Sequence, residues 1–250
     1  MSGHSRWSKV KNYKGALDQR RGKLFSKLSK EISVAAKLGG GDPNFNPRLR
    51  QAIATSRGES MPAENIERAI KKGTGELEGA AYEEMLYEGY GPGGVAVLVE
   101  AATDNKNRSA AELRALFLKH HGHLGGTGSV LWMFHQKGFI VINAPDVAED
   151  DVILTALDAG AEDVRAVEGQ IEVITPPDNR LHAVVKALEQ AKIPVASAKL
   201  SYVPANLTTV TDPHLAEDVL ELLEALEDHE DVQVVHANLD LAPDLAAKTG

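Results

Sequence analysis

The chain has no cysteine among its 250 residues. That excludes disulfides, Cys-ligated zinc and iron–sulfur clusters, and it fits a reducing compartment. Aromatic residues make up only 5%, so the cores must be built from Val, Ile, Leu and Ala. No apolar run approaches the roughly 20 residues of a membrane span, and the first thirty residues lack the ~7–15-residue apolar segment of a secretory signal. A soluble, cytoplasmic protein is expected. Acid is also scarce in one place. Residues 1–30 hold nine Lys/Arg and a single acidic residue, Asp18.

The chain as a whole nevertheless carries a formal net charge of −9. Residues 1–75 hold sixteen Lys/Arg against six Asp/Glu, a net of +10, and the rest holds eleven against thirty, a net of −19. So large an asymmetry implies a polyanion-binding arm on an acidic body. Within 1–13, His4, Trp7 and Tyr13 alternate with Arg6, Lys9 and Lys11. Cations for phosphates with rings between them suit nucleic acid.

From Lys14 to Leu38, Leu17, Leu24, Leu28, Ile32 and Ala35 recur at helical spacing. Lys23, Lys27, Lys30 and Lys37 fall on the largely opposite side, without the acids that usually alternate with such lysines. The candidate nucleic-acid-binding residues are therefore Arg6, Trp7, Lys9, Lys11, Lys14, Arg20, Arg21, Lys23, Lys27 and Lys30. A rival reading docks the basic helix on an acidic protein, or on this chain's own acidic body.

Two more helices follow. One is capped by Asn46 with Pro47 in its first position and carries Arg48, Arg50 and Arg57; the other runs from Ser60 to Lys72, ending at Gly73. Beyond residue 80, strands are expected at Glu84–Tyr90 and Val95–Ala102 around the Gly91–Gly94 turn, then at Ser129–Phe134 and Phe139–Asn143. Shorter ones are expected at Val164–Val167, Ile171–Ile174, Ala198–Val203, Leu207–Val210 and Val232–Ala237. Helices are expected at Ala110–His121, Val147–Ala159, Asn179–Ala191 and Pro213–Leu226, with a loose tail from Leu239. Such alternation reads as α+β layers of ferredoxin-like character, too long for one unit.

Catalytic and cofactor chemistry finds little support. Gly91-Pro92-Gly93-Gly94 precedes a strand and has no Lys-Ser/Thr at P-loop spacing, and no G-x-S-x-G elbow is present. His120, His121 and His123 are the only tight group of candidate metal ligands and lack a partner carboxylate nearby in sequence. No cofactor and no metal site is expected. Trp132 and Phe134 are expected in a core, and the acids of Pro213–Asp231 on a solvated face.

Several long motifs are then seen together: GHSRW at Gly3–Trp7, Arg20-Arg21-Gly22-Lys23, LGGGDPNFNPRLR at Leu38–Arg50, MPAENIERAIKKG at Met61–Gly73, EGYGPGGVA at Glu88–Ala96, DNKNR at Asp104–Arg108 and GSVLWMF at Gly128–Phe134. With these the chain resembles, over nearly its full length, the YebC/PmpR family, described as DNA-binding transcriptional regulators with mitochondrial relatives that activate translation. Arg6 stands where that pattern more often has Lys. The resemblance implies an N-terminal helical domain (1–80) and two ferredoxin-like α+β domains (81–130 with 205–240, and 131–204), the third inserted in the second. It implies no enzyme activity. The expected function is a non-enzymatic, DNA-binding regulator of transcription. The alternatives are an RNA- or ribosome-associated translation factor and a protein-interaction adaptor. Expected partners are DNA or structured RNA, with no membrane, no small-molecule substrate, and an oligomer left open.

Overall fold

A computed structural model describes residues 17–79, 81–143, 147–167 and 170–242, with the side chains of 17–20 and 167 not described. Helix α1 (Leu17–Gly39) ends in the glycine run, where Gly40 takes a positive φ of 85°. Asn46 then starts α2 (Pro47–Gly58). Its side-chain oxygen accepts from Leu49 N at 3.0 Å, while its amide donates to Ala35 O and Gly40 O, both at 2.8 Å. One side chain thus caps α2 and ties it to the end of α1. Helix α3 (Ala63–Thr74) closes on Gly75 in the left-handed conformation.

The three helices bury Ile32, Ala35 and Ala36 against Leu49, Ala52, Ile53, Met61, Ile66 and Ala69. Alpha1 and α3 approach closely at Gly73, where an added Cβ would lie 2.3 Å from Ser33 O. The Ser33 hydroxyl donates to Ala69 O across the same contact.

Strands β1 (Glu83–Tyr90) and β2 (Ala96–Thr103) pair antiparallel through the Gly91–Gly94 turn, in which Gly93 and Gly94 have φ of 69° and 75°. Helix α4 (Lys106–Lys119) follows, capped by Asn105, and then the short β3 (His123–Leu124). The sequence reading begins α4 at Ala110. The Asn105 cap, whose side chain accepts from Arg108 N, sets the earlier start.

Buried Glu88 accepts from the backbone N–H groups of Gly128, Val130 and Leu131, at 2.6 to 2.7 Å. Burial pushes its carboxyl up, but these three donors outweigh it and hold the group below its ordinary value. They also explain why Ser129–Phe134 is not the expected strand. Its N–H groups serve Glu88 and a 3₁₀ turn at Leu131–Met133, and strand β4 begins only at Phe134.

Residues Trp132–Asn206 form one compact unit, and the described residues before and after them form the other. The first comprises β4 (Phe134–Ile142), α5 (Glu149–Asp158), β5 (Asp163–Val167), β6 (Gln170–Thr175), α6 (Arg180–Gln190) and β7 (Ser197–Pro204). Its antiparallel sheet has the order β5-β6-β4-β7. That is the βαββαβ arrangement of a ferredoxin-like fold. Its core joins Ile140, Ile142 and Val173 to Val152, Ala156, Val184 and Leu188.

The other unit resumes with β8 (Thr208–Val210), α7 (Pro213–Glu227), β9 (Val232–Ala237) and β10 (Leu239–Leu241). Its main sheet has the order β3-β1-β2-β9, and β8 and β10 form a separate parallel pair, so part of the expected tail is strand. Val97 and Val99 of β2 pack with Leu113 and Phe117 of α4 and with Val219, Leu222, Leu223 and Leu226 of α7. Helix α1 packs on β2 and β9. Among the described residues no helix is long and apolar enough to cross a membrane.

Candidate nucleic-acid interface

On α1, residues 23, 27, 30, 34 and 37 step by four and three, and so share one face. This face does not look into solvent along its length. Lys23 Nζ pairs with Asp228 Oδ2 at 3.1 Å, and Lys27 Nζ donates to Glu227 O. Lys30 Nζ donates to Glu230 O at 2.9 Å and to Asp231 Oδ1 at 2.5 Å. Val34 is buried, and Lys37 Nζ donates to Tyr82 O. For Lys23, Lys27 and Lys30 the receiving surface is the end of α7 and the turn into β9. There the last helical carbonyls and three acids concentrate negative charge. The acids of Pro213–Asp231, expected on a solvated face, here hold lysines of α1 with their C-terminal members.

Lys30 is 7% exposed and Asp231 only 2%. The Asp231 Oδ2 atom also accepts from Ser109 Oγ at 2.6 Å, from Arg108 Nη2 at 3.0 Å and from Thr103 Oγ1 at 3.2 Å. Burial alone pushes the Asp231 carboxyl up, but the hydrogen bonds from Lys30, Ser109 and Arg108 outweigh it and hold the group far below the usual carboxylate range. Lys30 and Asp231 therefore form a buried ion pair inside one unit. In this arrangement the Lys30 ammonium is closed to phosphate. That is a correction to the expectation that it faces a ligand.

The ring of Tyr82 stands beneath two cations, with Lys72 Nζ 3.8 Å and Lys30 Nζ 5.6 Å from its centroid. Beside this network opens a cleft of about 1120 Å³, lined by both signs of charge, including Lys23, Arg68, Arg108, Glu112 and Asp228.

Arg6, Trp7, Lys9, Lys11 and Lys14 lie outside the described residues, as does the side chain of Arg20. Arg21 is exposed, with its guanidinium carbon 5.6 Å from the Phe25 ring centroid. The structure adds cations that the reading of α1 passed over. Arg50, Arg57 and Lys71 are exposed, and no ion pair engages them among the described residues. Arg50 and Arg57, seven residues apart on α2, share its outer face; that spacing was visible in the sequence. Arg48 is engaged by Glu31 and Glu84.

One other expectation changes. Trp132 is 68% exposed, because it sits in the 3₁₀ turn and not in a strand, whereas Phe134 is buried. The histidines His120, His121 and His123 do not converge. His120 faces Glu221, His121 has a φ of 60° and His123 stacks on Tyr90. The group that does gather is Glu112, His229 and Asp231. In it His229 Nδ1 accepts from Asp231 N, which leaves Nε2 as the donor to Glu112 at 2.9 Å. With Asp231 already receiving two cations, hydrogen bonds account for this trio.

Family models match the chain in two consecutive pieces: the TACO1/YebC protein N-terminal domain at residues 5–76, and the TACO1/YebC second and third domain at residues 82–239. The chain belongs to the TACO1/YebC family. A TACO1/YebC relative named "Probable transcriptional regulatory protein" from Methylacidiphilum infernorum is 55% identical over 245 residues, covering 98% of each chain. Another of that designation from Geobacter sulfurreducens is 54% identical over 242 residues, covering 97% of each. The crystal structure of a conserved hypothetical protein from Aquifex aeolicus superposes with a TM-score of 0.84 at 47% identity, covering 93% of this chain and 96% of that one.

Proposed function

We propose that this TACO1/YebC chain is a non-enzymatic, cytoplasmic regulator of gene expression that acts by binding nucleic acid, with DNA as the first candidate target. The observation that carries the reading is the division of charge, +10 over residues 1–75 against −19 over the remainder. Relatives named as probable transcriptional regulatory proteins support the regulatory part.

Phosphate contacts come first from Arg6, Lys9, Lys11, Lys14, Arg20 and Arg21, with Trp7 available for stacking. They are joined by Arg50, Arg57 and Lys71, which no ion pair engages among the described residues. Lys23, whose pair with Asp228 leaves both side chains well exposed, exchanges that partner for a phosphate at little cost. Lys27 stays as a rim contact and Lys30 as a structural cation. An RNA target is the second reading, favoured by the exposed aromatic ring at Phe45, which suits an unpaired base.

Changing Lys9, Lys11 and Lys14 together to Glu in the full chain tests the assignment by fluorescence anisotropy with a labelled DNA duplex and a labelled RNA hairpin. Affinity at ~100 mM salt falls by tenfold or more, since about three phosphate contacts are lost. Unchanged affinity for both probes contradicts it.

A further inference from the structure

Phe45 is 85% exposed, the most exposed of the large apolar side chains in the described residues. It does not sit on a loose loop. Asn46, the next residue, is 4% exposed and bonds to Ala35 O, Gly40 O and Leu49 N. On the other side, Asn44 N donates to the Asp42 carboxylate, and Arg50 Nη1 donates to Pro43 O at 2.8 Å and Asn44 O at 3.4 Å. Backbone bonds from Phe45 N and Asn46 N to Asp42 O complete the turn. The fold therefore fixes the backbone on both sides of an aromatic ring and leaves the ring in water. Keeping an apolar ring hydrated is unfavourable, and no folding contact among the described residues explains it.

The surroundings say what would cover it. Arg50, one turn into α2, holds the loop and keeps its charge beside it. Arg57 lies on the same helical face about 10 Å further on, by the 1.5 Å rise per residue. Neither is neutralised by a carboxylate among the described residues, and both belong to the segment of net +10. An acidic peptide would satisfy the arginines but offers the ring nothing in particular. An unpaired nucleic-acid strand offers both a base for the ring and phosphates for a pair of cations at this spacing.

We propose that Phe45 is a stacking platform for an unpaired base, with Arg50 and Arg57 as the adjoining phosphate rail. This rests on the nucleic-acid reading above and narrows it to single-stranded or looped targets at this site.

The test uses the full chain, a fluorescein-labelled 12-nucleotide single strand as DNA and as RNA, and the same sequence as a duplex. Phe45→Ala is expected to weaken single-strand binding about tenfold and to leave the duplex within about twofold. Phe45→Trp should retain single-strand affinity, and Phe45→Leu should behave like Phe45→Ala. Arg57→Ala should weaken all probes and lower the salt slope by about one. The ring's exposure makes these variants safe for folding, and thermal melting checks that.

Unchanged single-strand affinity in Phe45→Ala overturns the platform while leaving the charge-based reading intact. So does full rescue by Phe45→Leu, which would mean an apolar contact without stacking. If Phe45→Ala instead abolishes self-association seen in sedimentation and moves no oligonucleotide affinity, the occupant is a second copy of the chain and stacking is overturned. No binding of any probe by the wild-type chain sinks the nucleic-acid reading itself.

Discussion

Asp231 shows how one residue can change the meaning of a charge pattern. Its carboxylate receives Lys30, Arg108, Ser109 and Thr103 in a site almost closed to water. Removing one member of a buried pair leaves the other charge uncompensated, so Asp231→Asn should cost about 3 kcal/mol of stability in urea unfolding at neutral pH. Lys23→Gln, on the exposed pair with Asp228, should cost well under about 1 kcal/mol.

The pH dependence has a defined sign. The folded-state value of Asp231 is depressed below the ordinary ~4 of an unfolded aspartate. Its contribution is therefore complete above about pH 4 and is lost as the pH falls toward and through the folded value. The stability gap between wild type and Asp231→Asn should narrow steadily below about pH 4. A gap that stays constant to pH 2 would mean that the charge is not what matters.

None of this could be read from the chain alone, because Lys30 and Asp231 are 201 residues apart and nothing in their neighbourhoods marks them as partners. The exposure of Trp132 was equally hidden. An apolar run such as SVLWMF reads as a buried strand until Glu88 is seen holding its N–H groups.

At the scale of elements the sequence was more generous. The Asn46 cap with Pro47, the stop at the glycine run, the Gly91–Gly94 turn and the inward residues of α2, α3 and α7 follow from local rules, and the structure has them. Helical periodicity also grouped the α1 lysines correctly on one face. What periodicity cannot say is whether a polar face meets water or another part of the chain. Here α1 is covered on two sides. Its apolar stripe meets α2 and α3, and its lysine face meets the α7–β9 turn.

The close approach to α3 has its own test. Alanine at Gly73 places a Cβ 2.3 Å from the carbonyl oxygen of Ser33, and a backbone atom cannot rotate away. Gly73→Ala should destabilise the chain by about 1–3 kcal/mol, read from the shift in urea midpoint. A neutral result would mean that the two helices can separate there without cost.

For the whole molecule, the asymmetry of charge survives the structure but is redistributed. Part of the leading segment's positive charge binds the second half of the same unit through Lys23, Lys27 and Lys30, so the rival picture of a basic helix on its own acidic body describes this part of α1. Arg50, Arg57 and Lys71, on the outer surface of α2 and α3, are engaged by no ion pair among the described residues. The family and the α+β class were legible because long motifs and local periods carry them. The candidate interface was only half legible, because ion pairing across distant segments decides whether a cation such as Lys30 is available.

The most direct test of the central claim is the salt dependence of oligonucleotide binding by the intact chain, measured by anisotropy from about 50 to 300 mM salt. Cations that neutralise about six phosphates on duplex DNA give a slope of log K against log[salt] near −5, and the Lys9/Lys11/Lys14→Glu chain should be markedly flatter. A wild-type chain that binds with no dependence on salt, or does not bind at the lowest salt, would contradict the account.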